Sequence, residues 1–445
     1  MGTRTNSGNE KVQGGKQGLH GRRTFCFTAL ASATILVSYA DRGNLASVIV
    51  PMAEQFGWSP SFEGVVLSAF FLGYAATQMV GGWLADRYGG RPTLMAGLAA
   101  WSLFTLMTPL AAAQGSTALL ATRVGLGLGE GFAFPAVHAM IAGSVPKDER
   151  STVVGFVTAA SYAGALAAFL VSPAIIRWTG DWESVFYIFG WGSTLLLPAW
   201  LLVPLGSDEQ LTPKVTARGP TTEAGGRDEG ASFAAKRKAL VDVIARLGTK
   251  QEVWAILGAQ FGQSVGMWGL LSWLPTYLHD ARGLGSESAE LGALAAAPYA
   301  IQAVLGAGAG LAADRLISRE GWRVKTTRQV LQTAGMAGPA LCLGAAVLAT
   351  QADTSVAWIV VGSGLSAITL GGVSVNHLDI APRNAGLVFG AGNTVATIAG
   401  LITVPLCGWI LETSGSWEYV LMLFAASYVA GAVLFLAWAG DEEIE

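Results

Sequence analysis

The chain has 445 residues, 52% hydrophobic and 13% charged, with 27 Lys and Arg, 30 Asp and Glu and a mean hydropathy of +0.48. Soluble domains carry about 25% charged residues, so the composition sets aside a soluble fold and indicates a multi-pass membrane protein, a class that 58 glycines also suit because small residues let membrane helices touch. The net charge of −3 gives no basic footprint for nucleic acid, and Cys26, Cys342 and Cys407 lie in apolar runs without disulfide or metal-ligand spacing.

Residues 1–24 form a basic, polar tail. The apolar run that follows is too long for a secretory core, so the tail reads as a cytoplasmic or short organelle-targeting segment. Runs of about 20 apolar residues then predict spans at 25–50, 65–85, 93–113, 118–142, 152–176 and 184–205. A polar linker, 206–250, contains "AAKRKALVDVIARL", whose Leu240, Ile244 and Leu247 predict an amphipathic helix lying on the interface with Lys236, Arg237 and Lys238 toward headgroups. Six more spans are predicted at 252–278, 291–313, 330–350, 356–378, 386–410 and 418–439, before an acidic tail, 440–445.

All but four of the 27 Lys and Arg fall on the tail, the linker and the loops of one side. The opposite loops hold only Arg177 and Arg282, and Arg42 and Arg123 lie inside spans. This asymmetry places both termini on the cytoplasmic side, or its equivalent in an organelle. The halves also repeat. "GGWLADRYGGRP" after span 2 returns as "GAGLAADRLISREGWRVK" after span 8, aligning Gly82, Asp86 and Arg87 with Gly310, Asp314 and Arg315. "TGDWESVFYIFG" returns as "SGSWEYVLMLFA", so the expected fold is all-α, with 12 transmembrane helices in two six-helix halves, 25–205 and 251–439.

Buried charge carries the functional reading. Span 1 contains "SYADRGNLAS", with Asp41 beside Arg42, and span 4 contains Arg123 and Glu130 in "TRVGLGLGEGFAFPA". A charge at the bilayer centre costs about 2.5–3.5 kcal/mol on the lenient scales. Arg123 and Glu130, seven residues apart, share one helix face, and the four charges sum to zero. Arginine's planar fork suits carboxylate or phosphate oxygens. A carboxylate that takes a proton releases its arginine partner for an anion, which couples the two loadings. Asp41 and Glu130 are therefore expected to couple protons, and Arg42 and Arg123 to bind the anion.

Two parallel repeats of six helices is the major facilitator architecture, and Gly82 to Arg91 resembles that superfamily's signature, G-x-x-x-D-R-x-G-x-R. Asp86, Arg87, Arg91, Asp314 and Arg315 are expected to act as gating latches between helix ends. "YADRGNLASVIVPMAEQFGWS", "RVGLGLGEGFAFPAVHAMI", "VPKDERS" and "VNHLDIAPRNAG" further resemble the anion–cation symporter family of the major facilitators. That group includes plant and algal phosphate transporters, vesicular glutamate transporters, sialin and bacterial sugar-acid symporters. The resemblance, from about Tyr39 to Trp438, implies that Arg42 contacts substrate, that Asp41 is protonatable, that Arg123 and Glu130 serve binding and coupling, and that Tyr39, Tyr74 and Asn393 line the solute pocket.

Two positions depart from the family. Gln263 in span 7 stands where glutamate-type members place an arginine and plant phosphate members often a histidine; it offers hydrogen bonds without charge. Leu67 stands where animal vesicular members carry a histidine. His377 and Asp379 are expected in a helix-end network with Asn376 and Arg383, and His138 is expected to be a packing histidine. The expected function is secondary active transport of a small anion, inorganic phosphate first, with protons or sodium as the coupling ion. Sugar acids, ascorbate and amino-acid anions are the alternative cargo on the same fold. An enzyme is not expected, since no nucleophile–base pattern appears, and a non-transporting sensor is the remaining rival. The expected molecule is a monomer in a plastid or endomembrane bilayer, without cofactor or metal.

Overall fold

The computed structural model describes residues 7–146, 149–202, 242–243, 245–382 and 384–444, with 7–22 and positions 79, 86, 151, 385 and 386 described by backbone alone. The described residues contain helices and no strand. The N-terminal half comprises α1 (Ser7–Phe56), α2 (Pro60–Tyr88), α3 (Gly90–Gln114), α4 (Ser116–Glu130), α5 (Ala133–Ser144), α6 (Arg150–Thr179), α7 (Glu183–Thr194) and α8 (Leu196–Leu202). The C-terminal half comprises α9 (Gln251–Arg282), α10 (Ala289–Ser318), α11 (Val324–Leu348), α12 (Ala352–Leu365), a 3₁₀ turn (Ser366–Gly371), α13 (Val373–Ile380), α14 (Ala385–Ser414) and α15 (Trp417–Trp438). These make twelve spans, because α4 with α5, α7 with α8, and α12 with α13 each cross as one interrupted helix.

Within the described residues, ten of these are long and apolar enough to cross a membrane on composition alone. α2 and α9, 29 and 32 residues long, line the seam between the halves, where α2 packs on α14 and α9 packs on α1. A third cross-half contact joins α6 to α10. Most of the linker lies outside the described residues, including Lys236, Arg237, Lys238, Leu240 and Ile244; Leu247 is buried.

The halves are pressed together on the side away from the termini, here the far side. A Cβ on Gly64 of α2 would meet the backbone of Val404 and Pro405 on α14, so glycine is what permits this approach. Phe71 meets Trp268 edge-on at 4.9 Å, and Phe169 stacks on Tyr299 at 5.6 Å. Three polar contacts cross the same side: Ser61 N donates to Glu412 Oε2 at 3.1 Å, Arg177 donates to the Glu287 carbonyl at 3.4 Å, and His279 lies 3.8 Å from Glu54. Nearby, Glu63 is buried, has one carboxylate oxygen without a protein partner, and feels the charge of Asp280.

On the side of the termini the expected latches stay within their own halves. Arg87 lies over the rings of Trp83 and Tyr88, and Arg91 donates to the Leu201 carbonyl at 2.7 Å. Arg315, which follows Asp314 in the chain, pairs with Glu320 at 3.6 Å. The Asp86 side chain lies outside the described residues.

The helix-end network differs from expectation in its members. Arg328 of α11 donates to both oxygens of Asp379, at 2.8 and 3.4 Å, and to the Gly371 carbonyl at 3.1 Å. Asn376 joins Asp379 at 3.5 Å and the Gly440 carbonyl at 3.0 Å. His377 instead turns toward the ring of Phe389, 5.4 Å away, because neighbours on a helix point about 100° apart. Arg383 lies outside the described residues.

Candidate functional site

The four charges gather inside the N-terminal half, and all are at least nine-tenths buried. α4 ends at Glu130, where the chain turns at Gly131 and Phe132 before α5 begins. Its glycines bring neighbours in: a Cβ on Gly127 would meet the Phe70 backbone of α2, and one on Gly129 the Trp101 backbone of α3. Neighbouring helices occupy the space these glycines leave.

Glu130 accepts from Arg42 Nε and from Ser38 Oγ, both at 2.8 Å. Ser38 and Arg42 are one turn apart on α1, so both reach the same carboxylate oxygen. The Arg42 guanidinium lies 4.4 Å from the ring centres of both Tyr39 and Tyr74, 4.8 Å from Phe70 and 5.9 Å from Trp268. A desolvated cation–π contact is worth about 2 kcal/mol, so the box holds the guanidinium plane without consuming its N–H donors. Arg42 Nη1 and Nη2, Arg123 Nε and Nη1, and Glu130 Oε1 are buried without a protein hydrogen-bond partner.

Both arginines face one small cavity, whose walls are Leu45, Leu67, Phe70, Phe71, Trp268, Leu271 and Ser272. Guanidinium N–H groups left without a partner in such apolar surroundings are costly. The two arginines give the cavity a positive lining with several such donors. Leu67, a departure noted in the sequence, is part of the wall. The C-terminal half contributes Trp268, Leu271 and Ser272 of α9.

Asp41 lies elsewhere. It follows Ala40 and precedes Arg42, yet points into the half toward Thr105 of α3, 3.5 Å away, and Ser193 of α7, 3.4 Å away, with Asn44 at 3.4 Å. Arg123 acts electrostatically on both Asp41 and Glu130, so it links the cavity to the separate carboxylate. Gln263 and Asn393 are partly buried on the C-terminal half, outside the cavity walls. His138 packs back on its own helix through the Phe134 carbonyl at 2.9 Å.

The sequence reading missed Ser38, Thr105 and Ser193 around the carboxylates, and Trp268 and Ser272 across the seam. The one-turn spacing of Ser38 and Arg42 was a usable signal. Trp268 had none, since its role depends on how the halves meet.

The sequence profile described as Major Facilitator Superfamily matches residues 31–404. The chain belongs to the Major Facilitator Superfamily. This major facilitator is 34% identical over 420 residues to an Arabidopsis thaliana protein named sodium-dependent phosphate transport protein 1, chloroplastic, covering 94% of this chain and 78% of the relative. It is 32% identical over 424 residues to the Arabidopsis thaliana ascorbate transporter, chloroplastic, covering 95% of this chain and 76% of the relative. Among solved structures, a D-xylose-proton symporter aligns with a TM-score of 0.74 at 16% identity, covering 94% of this chain and 98% of that one. A bacterial homologue of the human lysosomal transporter Spinster aligns at 0.66 and 19% identity, covering 92% and 94%. These likenesses carry the major facilitator fold.

Proposed function

We propose that this chain is a secondary active transporter that moves a small anion, inorganic phosphate first, together with a proton or sodium ion. The observation that carries this reading is the pair of guanidiniums, Arg42 and Arg123, whose unpartnered N–H groups face one cavity. Apart from them, Ser272 is the polar side chain among the cavity walls. That favours a compact oxyanion, which two forks can satisfy, over a sugar acid whose hydroxyls need more partners. The phosphate transport protein among the relatives, described as sodium-dependent, supports phosphate and a sodium requirement; the ascorbate transporter keeps ascorbate as the alternative cargo.

In this reading Arg42 and Arg123 bind the anion, Tyr39 and Tyr74 hold Arg42 in place, and Gln263 and Asn393 meet the solute when the halves rock. Asp41 and Glu130 receive the coupling charge. With both ionised, the four site charges cancel. Neutralising one leaves a net positive site that an anion completes. Asp86, Arg87, Arg91, Asp314 and Arg315 latch the side of the termini in the opposite conformation, and that side is the cytoplasmic or stromal one. The chloroplastic names of the relatives support a plastid membrane. The molecule works as a monomer.

The test is uptake of labelled phosphate by proteoliposomes under an imposed proton or sodium gradient, with gluconate, ascorbate and glutamate as unlabelled competitors. Gradient-driven phosphate uptake that falls to background in Arg42→Ala supports the reading. Absence of phosphate flux, with exchange of an organic acid in its place, would replace phosphate as the cargo.

A further inference from the structure

The oxygens around Asp41 are spaced for a cation between them. A hydroxyl that donates to a carboxylate sits about 2.5–3.0 Å from it, as Ser38 does on Glu130 at 2.8 Å. Around Asp41 the separations are longer: Oδ2 lies 3.5 Å from Thr105 Oγ1 and 3.4 Å from Ser193 Oγ, and Oδ1 lies 3.4 Å from the Asn44 amide. The Ser193 proton also has a better acceptor, the Phe189 carbonyl at 2.9 Å. A hydroxyl has one proton. Given to Phe189, it leaves a Ser193 lone pair facing the carboxylate, an arrangement that a positive ion between the two oxygens relieves.

The spacing identifies the size of that ion. Oxygens bind Ca²⁺ at roughly 2.3–2.6 Å, and Na⁺ is nearly the same size. Neighbouring oxygens around an octahedral ion stand √2 times farther apart, roughly 3.3–3.7 Å. The Asp41 separations fall in that range. A single carboxylate with neutral oxygens, close to the positive Arg123, suits one charge better than two.

Asn44 can supply a further oxygen by turning its amide. Its Oδ1 accepts from Ser172 Oγ at 3.2 Å, and after the turn Nδ2 would donate to the same hydroxyl. Asp41, Asn44, Thr105, Ser172 and Ser193 are all at most 1% exposed, so the ion would leave most of its water behind.

We infer that Asp41, Thr105, Ser193 and Asn44 form a sodium site within the N-terminal half, separate from the anion cavity. This rests on the anion-transport reading above and names its coupling ion. A sodium ion on Asp41 leaves the field of Arg123 uncompensated, so cation binding prepares the cavity for the anion. Glu130 stays paired to Arg42 throughout this step.

Sodium binding is read directly from thermal unfolding of the purified full-length protein. NaCl is titrated against KCl and choline chloride at fixed pH and ionic strength, since a ligand of the native state raises the unfolding temperature. Sodium-specific stabilisation is expected, lost in Asp41→Asn. Thr105→Val and Ser193→Ala keep the carboxylate and should raise the half-saturating sodium concentration at least tenfold. Their proteoliposomes should show the same shift for sodium-driven phosphate uptake at equal pH on both sides. Absence of sodium-specific stabilisation in the native protein overturns the site, as does an unchanged sodium dependence in both hydroxyl variants. Phosphate uptake driven by protons alone would overturn the site and keep the transport reading. Stabilisation by sodium that the hydroxyl variants weaken, without phosphate flux, would keep the site and retire phosphate.

Discussion

Arg42 engages Glu130 through Nε and keeps both terminal nitrogens free of protein partners, while two tyrosine rings fix its plane. That division makes geometry, beyond charge, essential to it. Arg42→Lys retains the charge but loses the fork and the ring stacking, so kcat/KM for the anion should fall at least tenfold; initial uptake rates across substrate concentration check this. Glu130→Gln should separate exchange from accumulation. The glutamine still meets Arg42 but no longer balances its charge, so phosphate–phosphate exchange should persist while gradient-driven accumulation is lost. Loss of both activities together would remove Glu130 from coupling. The four charges were legible in the sequence because each violates the membrane environment. Their pairing was not, because Arg123 and Glu130 share a face of α4 yet Glu130 takes Arg42 from another helix. The hydroxyls around Asp41 were equally hidden: Ser and Thr are ordinary in membrane helices, and only the packing of α3 and α7 on α1 selects Thr105 and Ser193.

Three spans are interrupted helices, and the interruption in the fourth span falls directly after Glu130. Gly127 and Gly129 bring α2 and α3 against the same segment, so side chains at these positions would push the walls apart. Gly129→Leu should lower the unfolding temperature by several degrees and reduce anion affinity together, a pairing that heat scans and binding titrations on one preparation can measure; overpacking a filled contact costs about 1–3 kcal/mol. Apolar runs located the spans, α2 and α9 among them, but could not distinguish a continuous helix from a broken one. The helix-end cluster illustrates the same limit, since Arg328 reaches Asp379 from a helix 51 residues away in sequence.

The two halves meet on the far side, while Arg87, Arg91 and Arg315 on the side of the termini keep their described partners within their own halves. Far-side closure rests on close backbone packing at Gly64 and on a few exposed polar contacts. Exposed ion pairs contribute about 0.2–1 kcal/mol each. Combining His279→Ala with Glu412→Ala should therefore raise far-side labelling of a cysteine at position 272 only a fewfold. Gly64→Leu should raise it much further, because a side chain there separates α2 from α14. Impermeant thiol reagents applied to either face of the membrane give the comparison. The two-half architecture was legible through repeated loops and the distribution of basic residues. The conformation was not, because the same residues serve both open states.

Among the described residues, the buried Asp41, Arg42, Glu63, Arg123 and Glu130 all lie on one half, whereas the other supplies a tryptophan, a leucine and a serine to the cavity wall. On the proposed reading, the coupling carboxylates and both anion-binding arginines are therefore inherited on one portion of the gene, and the other portion supplies only the facing wall. A hybrid carrying residues 1–205 of this chain on the second half of a relative with different cargo should keep this chain's ion requirement and its preference for an anion, while the new wall changes which anions fit.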